Sequence, residues 1–217
     1  MIKALLLKSF KVLCFCLVAL LPSSPSIMSP MQAGWLPYDA AHLQTGDIIF
    51  RRGISMASRF ILSADSQSPF THAGLIHKIE GEPYVIHVIA DEPPGSEDVV
   101  RVEPLEIFLG RDRASLAAVY RLREDRDHYA ARAVELALSY VNERLLFDAD
   151  FDLRTTDKLY CTELVWRAYL GVGIDLVNGE FDTLSLPFNK GTYLLPSRLL
   201  QSPWLQQVVE LNFSEGG

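Results

Sequence analysis

Cys161 is the residue of this sequence with the clearest chemical potential, because it follows a polar loop and opens the amphipathic stretch KLYCTELVWRAYLG. One face of the predicted helix carries Cys161, Leu164, Val165, Ala168 and Tyr169. A cysteine on such a face is commonly a small buried hydrophobe. At the first turn of a helix, however, the dipole and free N–H groups favour a thiolate, lower the cysteine pKa and can receive an oxyanion. The sequence therefore leaves two interpretations open, core residue and nucleophile.

A thiol nucleophile needs an acid/base partner, and a predicted β-hairpin supplies candidates. Its two strands are THAGLIHKI and YVIHVI, separated by EGEP. A two-residue turn at Glu80-Gly81 places Gly74 opposite His87 and leaves room for a contact there. His72 then lies diagonally from His87, at roughly 7 to 8 Å between backbones, within reach of two imidazoles. A longer loop from Glu80 to Pro83 would separate the two histidines by about four residues along the strand.

The other polar residues near these motifs carry weaker signals. His77 is five positions from His72 and points to the opposite strand face, so it is interpreted, like His128, as a hydrogen-bonded sheet or surface residue. The sequence gives no reason to assign a chemical role to His42. The acidic pair Asp91-Glu92 follows the second strand and could orient a histidine, although such a loop is usually solvated.

Two residues flank the cysteine. Tyr160 is predicted to line the substrate cleft or to donate near the oxyanion, with packing of the helix start as the alternative. Glu163 is about 200° around the helix from Cys161, which excludes it from a triad on the same face. It is predicted to anchor the polar loop or to suit the helix dipole as an early-turn acid.

The elements that must position these residues are strands early in the chain and helices late. Strands are predicted at Ile48 to Phe50, in the hairpin, at Val99 to Leu105, at Leu116 to Leu122 and in WLQQVVEL, which gives an antiparallel sheet of four to six strands. Helices are predicted at Ile54 to Leu62, after an Asp127 N-cap, from Cys161 to Gly171 or Gly173, and from Pro196 to Leu200. The helix after Asp127 is predicted to present one face made of Tyr129, Ala133, Leu136, Ala137, Tyr140 and Val141. This order indicates an α+β fold.

The first residues are predicted to be an export signal at 1–26, with cleavage as late as 33, because lysines precede a ten-residue apolar run. An uncleaved leader that anchors the protein is the alternative and the one expected membrane contact. Residues 34–217 then form a single domain, exported to the periplasm or beyond. That domain carries 17 basic and 27 acidic side chains, a net charge near −10, which excludes nucleic acid as a partner. It holds one thiol and no disulfide, which favours a functional cysteine.

Four stretches in order along the chain, GDIIF, SPFTHAGLI, YVIHV and YCTELVWRAY, resemble the permuted papain-like amidases of the YaeF/YiiX type, relatives of the NlpC-type cell-wall peptidases. The resemblance spans about Leu43 to Gly173 and implies a circularly permuted papain-like fold. It implies His72 as the general base, Cys161 as the nucleophile and a polar residue on the second hairpin strand that orients the base. His87 stands at that last position, where many relatives carry glutamate, and a histidine supports an imidazolium less strongly than a carboxylate does.

These features together predict an exported thiol hydrolase that cleaves amide bonds of peptides or cell-wall peptides, with no cofactor and no metal. A lipid acyl hydrolase or acyltransferase with the same residues stays open, because relatives similar to lecithin:retinol acyltransferase use a second histidine at the position of His87. One cysteine and two histidines are also a zinc-binding set, so a non-catalytic metal-binding protein is the third alternative.

Overall fold

The structure is a computed structural model that describes residues 40–124, 128–186 and 189–213. The predicted leader and the predicted Asp127 cap lie outside these residues. The strands are β1 (Ile48–Gly53), β2 (His72–Ile79), β3 (Glu82–His87), β4 (Arg101–Pro104), β5 (Ala114–Leu122), β6 (Leu146–Phe147), β7 (Lys158–Leu159), β8 (Asp182–Leu186), β9 (Asn189–Tyr193) and β10 (Leu205–Asn212). The helices are α1 (Met56–Ala64), α2 (Leu105–Phe108), α3 (Tyr129–Asn142), α4 (Cys161–Leu170) and α5 (Pro196–Leu200).

A six-stranded antiparallel sheet organises the molecule, in the order β10-β5-β1-β2-β3-β4. The predicted α+β class and the predicted strand number are confirmed. The central strand β1 is buried on both faces, as its apolar start IIF indicates. Two short pairs, β6 with β7 and β8 with β9, were not predicted. Strands β6 and β7 have two residues each and give no periodic signal, and strands β8 and β9 have five each, with too few apolar residues for a clear one.

The hairpin has the predicted two-residue turn, since Ile79 of β2 pairs with Glu82 of β3. Both turn residues have positive φ, 53° at Glu80 and 93° at Gly81, as a type I′ turn requires. The register continues to Leu75 opposite Ile86. The longer-loop alternative is therefore wrong.

The core lies between one sheet face and helices α3 and α4. The predicted face of α3 is confirmed by buried Ala133 and Ala137, and Val134 is buried beside them. On α4 the buried residues include Leu164, Val165, Ala168 and Tyr169, as the apolar spacing predicts. Each large apolar side chain buried in this layer stabilises the fold by about 1.5 to 3 kcal/mol. This packing fixes the start of α4 against β2.

The element bounds differ from the prediction by a few residues at several places, of which two have a clear local cause. Helix α1 begins at Met56 instead of Ile54, because the hydroxyl of Ser55 accepts a hydrogen bond from the amide of Ser58 and caps the helix there. The strand predicted up to Leu105 ends at Pro104, where the short helix α2 begins. Among the described residues, every helix is too short or too polar to cross a bilayer.

Candidate active site

Cys161 is the first residue of α4 and is 8% exposed. Two hydrogen bonds fix the start of α4. The amide of Tyr160 donates to the carboxyl of Glu163, at 3.3 Å, and the hydroxyl of Thr162 donates to the carbonyl of Leu194, at 2.6 Å. The predicted position of Cys161 at a helix N-terminus is therefore confirmed.

The electrostatics of Cys161 differ from the expectation. Burial raises the pKa of the thiol above its ordinary value of 9.0. Backbone hydrogen bonds from Ala73, Thr162 and Cys161 itself and the charge of Arg51 oppose the rise without cancelling it. The expected lowering of the pKa is thus wrong in direction, because the loss of hydration outweighs the amides of the helix start. The resting group is a neutral thiol that faces N–H donors.

His72 and His87 are brought together as the hairpin register predicts. The Nε2 atom of His72 lies 2.9 Å from Nδ1 of His87, and the rings meet edge to face with centroids 5.1 Å apart. Both rings are buried. Ala73, the residue after His72 in β2, is the one whose backbone hydrogen-bonds the Cys161 thiol, so the cysteine lies against the strand that carries His72. With Nε2 of His72 engaged by His87, Nδ1 is the other ring nitrogen of His72.

Phe108 of α2 covers the histidine pair. Its ring centroid lies 5.5 Å from that of His72 and 5.1 Å from that of His87. Burial lowers the pKa of both histidines well below 6.5, and the charge of Arg51 adds to this. Both imidazoles are consequently neutral near neutral pH, and His72 is free to accept a proton.

The buried side chain of Arg51 lies beside His72 and Phe108. It lies opposite His72 in the β1–β2 ladder, its guanidinium stacks on Phe108 at 4.4 Å, and it donates to the carbonyl of Phe108. Its other terminal nitrogen binds the carboxylate of Glu92. Glu92 of the acidic pair Asp91-Glu92 therefore binds an arginine and does not orient a histidine.

Sequence reasoning missed Glu103 of β4. Its Oε1 lies 2.8 Å from Nε2 of His87, and its Oε2 lies 3.2 Å from Arg113. Glu103 pairs with Val85, two residues before His87, so both side chains share one strand face. The segment from 99 to 105 was predicted as a strand, but the connection from residue 88 to 100 leaves its register open.

Tyr160 and Glu163 occupy buried structural positions. The hydroxyl of Tyr160 accepts a hydrogen bond from the amide of Leu194 at 2.9 Å, and burial raises its pKa. Glu163 pairs with Arg167 at 2.7 Å, and Arg167 donates to the carbonyls of Leu153 and Thr155. The predicted role of Glu163 as an anchor of the polar loop is confirmed, whereas a substrate contact by Tyr160 stays a prediction.

The family model described as "Permuted papain-like amidase enzyme, YaeF/YiiX, C92 family" matches residues 42–209. The chain belongs to this family. Membership confirms the resemblance seen in the four sequence stretches and the permuted papain-like fold, and it makes the protein a hydrolase of the amidase type.

A solved structure supports the same fold for this permuted papain-like amidase. The chain is similar to YiiX from Escherichia coli O157:H7, described as a metalloprotein, with a TM-score of 0.63 and 24% sequence identity. The match covers 77% of this chain and 97% of YiiX. No curated protein matches the sequence.

Proposed function

We propose that this family member is a thiol hydrolase that cleaves amide bonds of peptides through a cysteine acyl-enzyme. The observation that supports it is the placement of Cys161 at the start of α4, against the backbone of Ala73 in β2, the strand that also carries His72, which contact with His87 orients. A nucleophile, a base and a group that orients the base are the minimum set for this chemistry.

The chemistry begins from a neutral pair, because burial raises the pKa of Cys161 and lowers that of His72. As Sγ bonds to the substrate carbonyl, the thiol proton passes to Nδ1 of His72. The imidazolium then protonates the amine as the C–N bond breaks. Water, deprotonated by His72, hydrolyses the thioester and restores the thiol. The backbone amides of Cys161 and Thr162 hydrogen-bond the thiol at the helix start and are the donors proposed for the developing oxyanion.

The test is hydrolysis of a peptide-amide library by the wild type and by Cys161→Ala and Cys161→Ser variants. The expected result is loss of turnover in both variants with unchanged circular dichroism. A His77→Gln variant is the matched control, because His77 lies on the same strand as His72 and has no part in the mechanism. Undiminished turnover by Cys161→Ala would exclude a cysteine nucleophile.

A lipid acyl substrate is the second candidate, supported by an exposed apolar surface on α1. Met56 is 76% exposed and Phe60 is 56% exposed. Helix α1 follows the end of β1 that pairs with His72, and Gly53 at that end donates to Thr71. Incubation with acyl donors followed by intact-mass measurement distinguishes the candidates. A fatty-acyl adduct on Cys161 favours lipid chemistry, and its absence together with peptide turnover favours amides.

The residues do not fit a metal site, although YiiX is described as a metalloprotein. His72 and His87 direct ring nitrogens at each other at 2.9 Å, so these nitrogens do not converge on a common ion. Among the described residues, no group of three or more His, Cys, Asp or Glu side chains is arranged to hold a metal. No step of the proposed chemistry uses one.

We also propose that the protein acts outside the cytoplasm, on peptides that include those of the cell wall. The lysine-flanked apolar run at the N-terminus and the acidic domain with a single thiol support export. Fractionation of cells that express the full chain tests this: the chain is expected in the periplasmic fraction, shortened by 26 to 33 residues.

A further inference from the structure

We infer that Glu103 is a positioning residue that fixes the tautomers of His87 and His72 and supplies, through His87, the negative charge that His87 itself lacks. The geometry is a chain of short contacts: His72 to His87 at 2.9 Å and His87 to Glu103 at 2.8 Å. The catalytic half of this inference rests on the proposed function, while the tautomer half does not.

The tautomers follow from the hydrogen-bonding capacity of each group. A carboxylate only accepts, so the 2.8 Å contact between Nε2 of His87 and Oε1 of Glu103 favours a hydrogen on Nε2, although the direction of this N–H in the structure does not meet hydrogen-bond geometry. In a neutral imidazole the other nitrogen is then an acceptor, so Nδ1 of His87 accepts from Nε2–H of His72. Nδ1 of His72 is left with a free lone pair. A general base requires this state, and Glu103 sets it through His87, which lies between Glu103 and His72.

The charge of Glu103 is held in place. The side chain is largely buried, and Arg113 lies 3.2 Å from its Oε2. When His72 takes the thiol proton, its imidazolium donates Nε2–H to His87, and His87 donates to Glu103. The proton stays on His72 until the leaving amine takes it, so no proton passes to His87 or Glu103. A largely buried carboxylate at the far end stabilises this transient positive charge because charges are poorly screened away from water, and it offsets part of the repulsion from Arg51, Arg101 and Arg113.

The first experiment reads the tautomers directly and needs no substrate. Nitrogen-15 spectra of the histidine rings in a Cys161→Ala protein are expected to show both His72 and His87 protonated at Nε2, with assignments from His72→Gln and His87→Gln spectra. In Glu103→Gln the amide oxygen still accepts, so the tautomer of His87 is kept. In Glu103→Ala, His87 is expected to shift towards the Nδ1–H form. An Nδ1–H tautomer of His87 in the parent protein overturns the inference even if the alanine variant does not fold.

The second experiment is a double-mutant cycle on kcat. Glu103→Gln is expected to lower kcat roughly tenfold or more with little change in KM, because the charge is lost while an acceptor oxygen remains beside His87. In a His87→Glu background, the carboxylates at positions 87 and 103 would repel each other. Glu103→Gln removes this repulsion and is therefore expected to raise kcat. The same loss in both backgrounds would show that Glu103 is merely structural and would overturn the inference. The exposed Glu82→Gln change is the control and should leave both spectra and kcat unchanged.

The two failures are distinguishable. If Cys161→Ala keeps full turnover, the proposed function fails, but the ring spectra still report whether Glu103 sets the tautomers. If the spectra contradict the assignment while Cys161→Ala is inactive, the inference fails and the thiol hydrolase stands.

Discussion

Arg51 and His72 lie directly opposite each other in β1 and β2, so a buried guanidinium sits beside the proposed general base. The positive charge makes an imidazolium at His72 costly and a thiolate at Cys161 easier to form, so Arg51 lowers the pKa of both groups. Glu92 and the carbonyl of Phe108 hold the guanidinium in place. Arg51 thus helps to keep the base unprotonated before the substrate binds.

An Arg51→Met change is expected to move the acid limb of kcat/KM to higher pH. Removing the positive charge favours protonation of His72, so its pKa rises and the free base is lost earlier on acidification. The variant should also lose stability, by about 3 kcal/mol or less, because its buried ion pair with Glu92 is broken while Arg113 stays 3.7 Å from the same carboxylate. Arg59→Met, on the exposed face of α1, is the control. An acid limb that stays in place or moves to lower pH would contradict this role.

The pH dependence of the wild type separates a neutral pair from a preformed ion pair. The lowered pKa of His72 predicts that kcat/KM is maintained below pH 6.5 and falls only where His72 becomes protonated. The raised pKa of Cys161 predicts slow alkylation by iodoacetamide at pH 6, with a rate that increases towards and beyond pH 9. Alkylation that is fast and constant between about pH 5 and 8 would indicate a thiolate–imidazolium pair instead.

The hairpin and its histidines could be predicted because the turn and both strands lie within sixteen residues of chain. Local turn chemistry fixes the register, and the register fixes which side chains meet. Glu103 and Arg51 could not be placed in this way. Their contacts with the histidines depend on which strands neighbour the hairpin in the sheet, and on the register after a long connection.

The sign of the Cys161 pKa shift also lay beyond the sequence. The helix start was predicted correctly, and its N–H groups do act on the thiol. The depth of burial, however, is set by contacts with β2 and with the region around Leu194, which are distant in sequence. Desolvation is therefore a tertiary effect that a local pattern does not contain.

A Glu163→Gln change is expected to alter how stability depends on pH. Burial raises the pKa of Glu163 from 4.5 to about 7, although Arg167 opposes the rise. Because the pKa is higher in the folded state, the contribution of this carboxyl to stability is fully present below about pH 4.5 and is lost as pH rises through about 7, by roughly 3 kcal/mol at most.

Urea unfolding at pH 4.5, 6 and 8 measures this effect. The wild type should lose stability relative to Glu163→Gln as pH rises, because glutamine stays neutral. Glu82→Gln, at an exposed position, should show no such trend. A wild-type advantage that grows with pH would mean that the pairing with Arg167 outweighs burial.

A Gly74→Ala change is expected to disturb the His72–His87 contact without touching either ring. A Cβ at position 74 would lie 2.5 Å from a methyl of Val85, 3.0 Å from the carbonyl of Ile86 and 3.2 Å from Cβ of His87. The strands must separate to accept it, at a cost of about 1 to 3 kcal/mol. Turnover should fall together with thermal stability, since the 2.9 Å contact between the rings depends on this spacing.

A second change at Val85 tests whether the crowding is the cause. Val85→Ala alone removes buried packing and should destabilise the protein. In the Gly74→Ala background it removes the shortest of the three contacts, so the double variant should be more stable than the sum of the two single losses predicts. The carbonyl of Ile86 still crowds the new methyl, so recovery of turnover should be partial. If the stability losses of the two single variants are strictly additive, the close approach of Val85 does not explain the need for glycine at position 74.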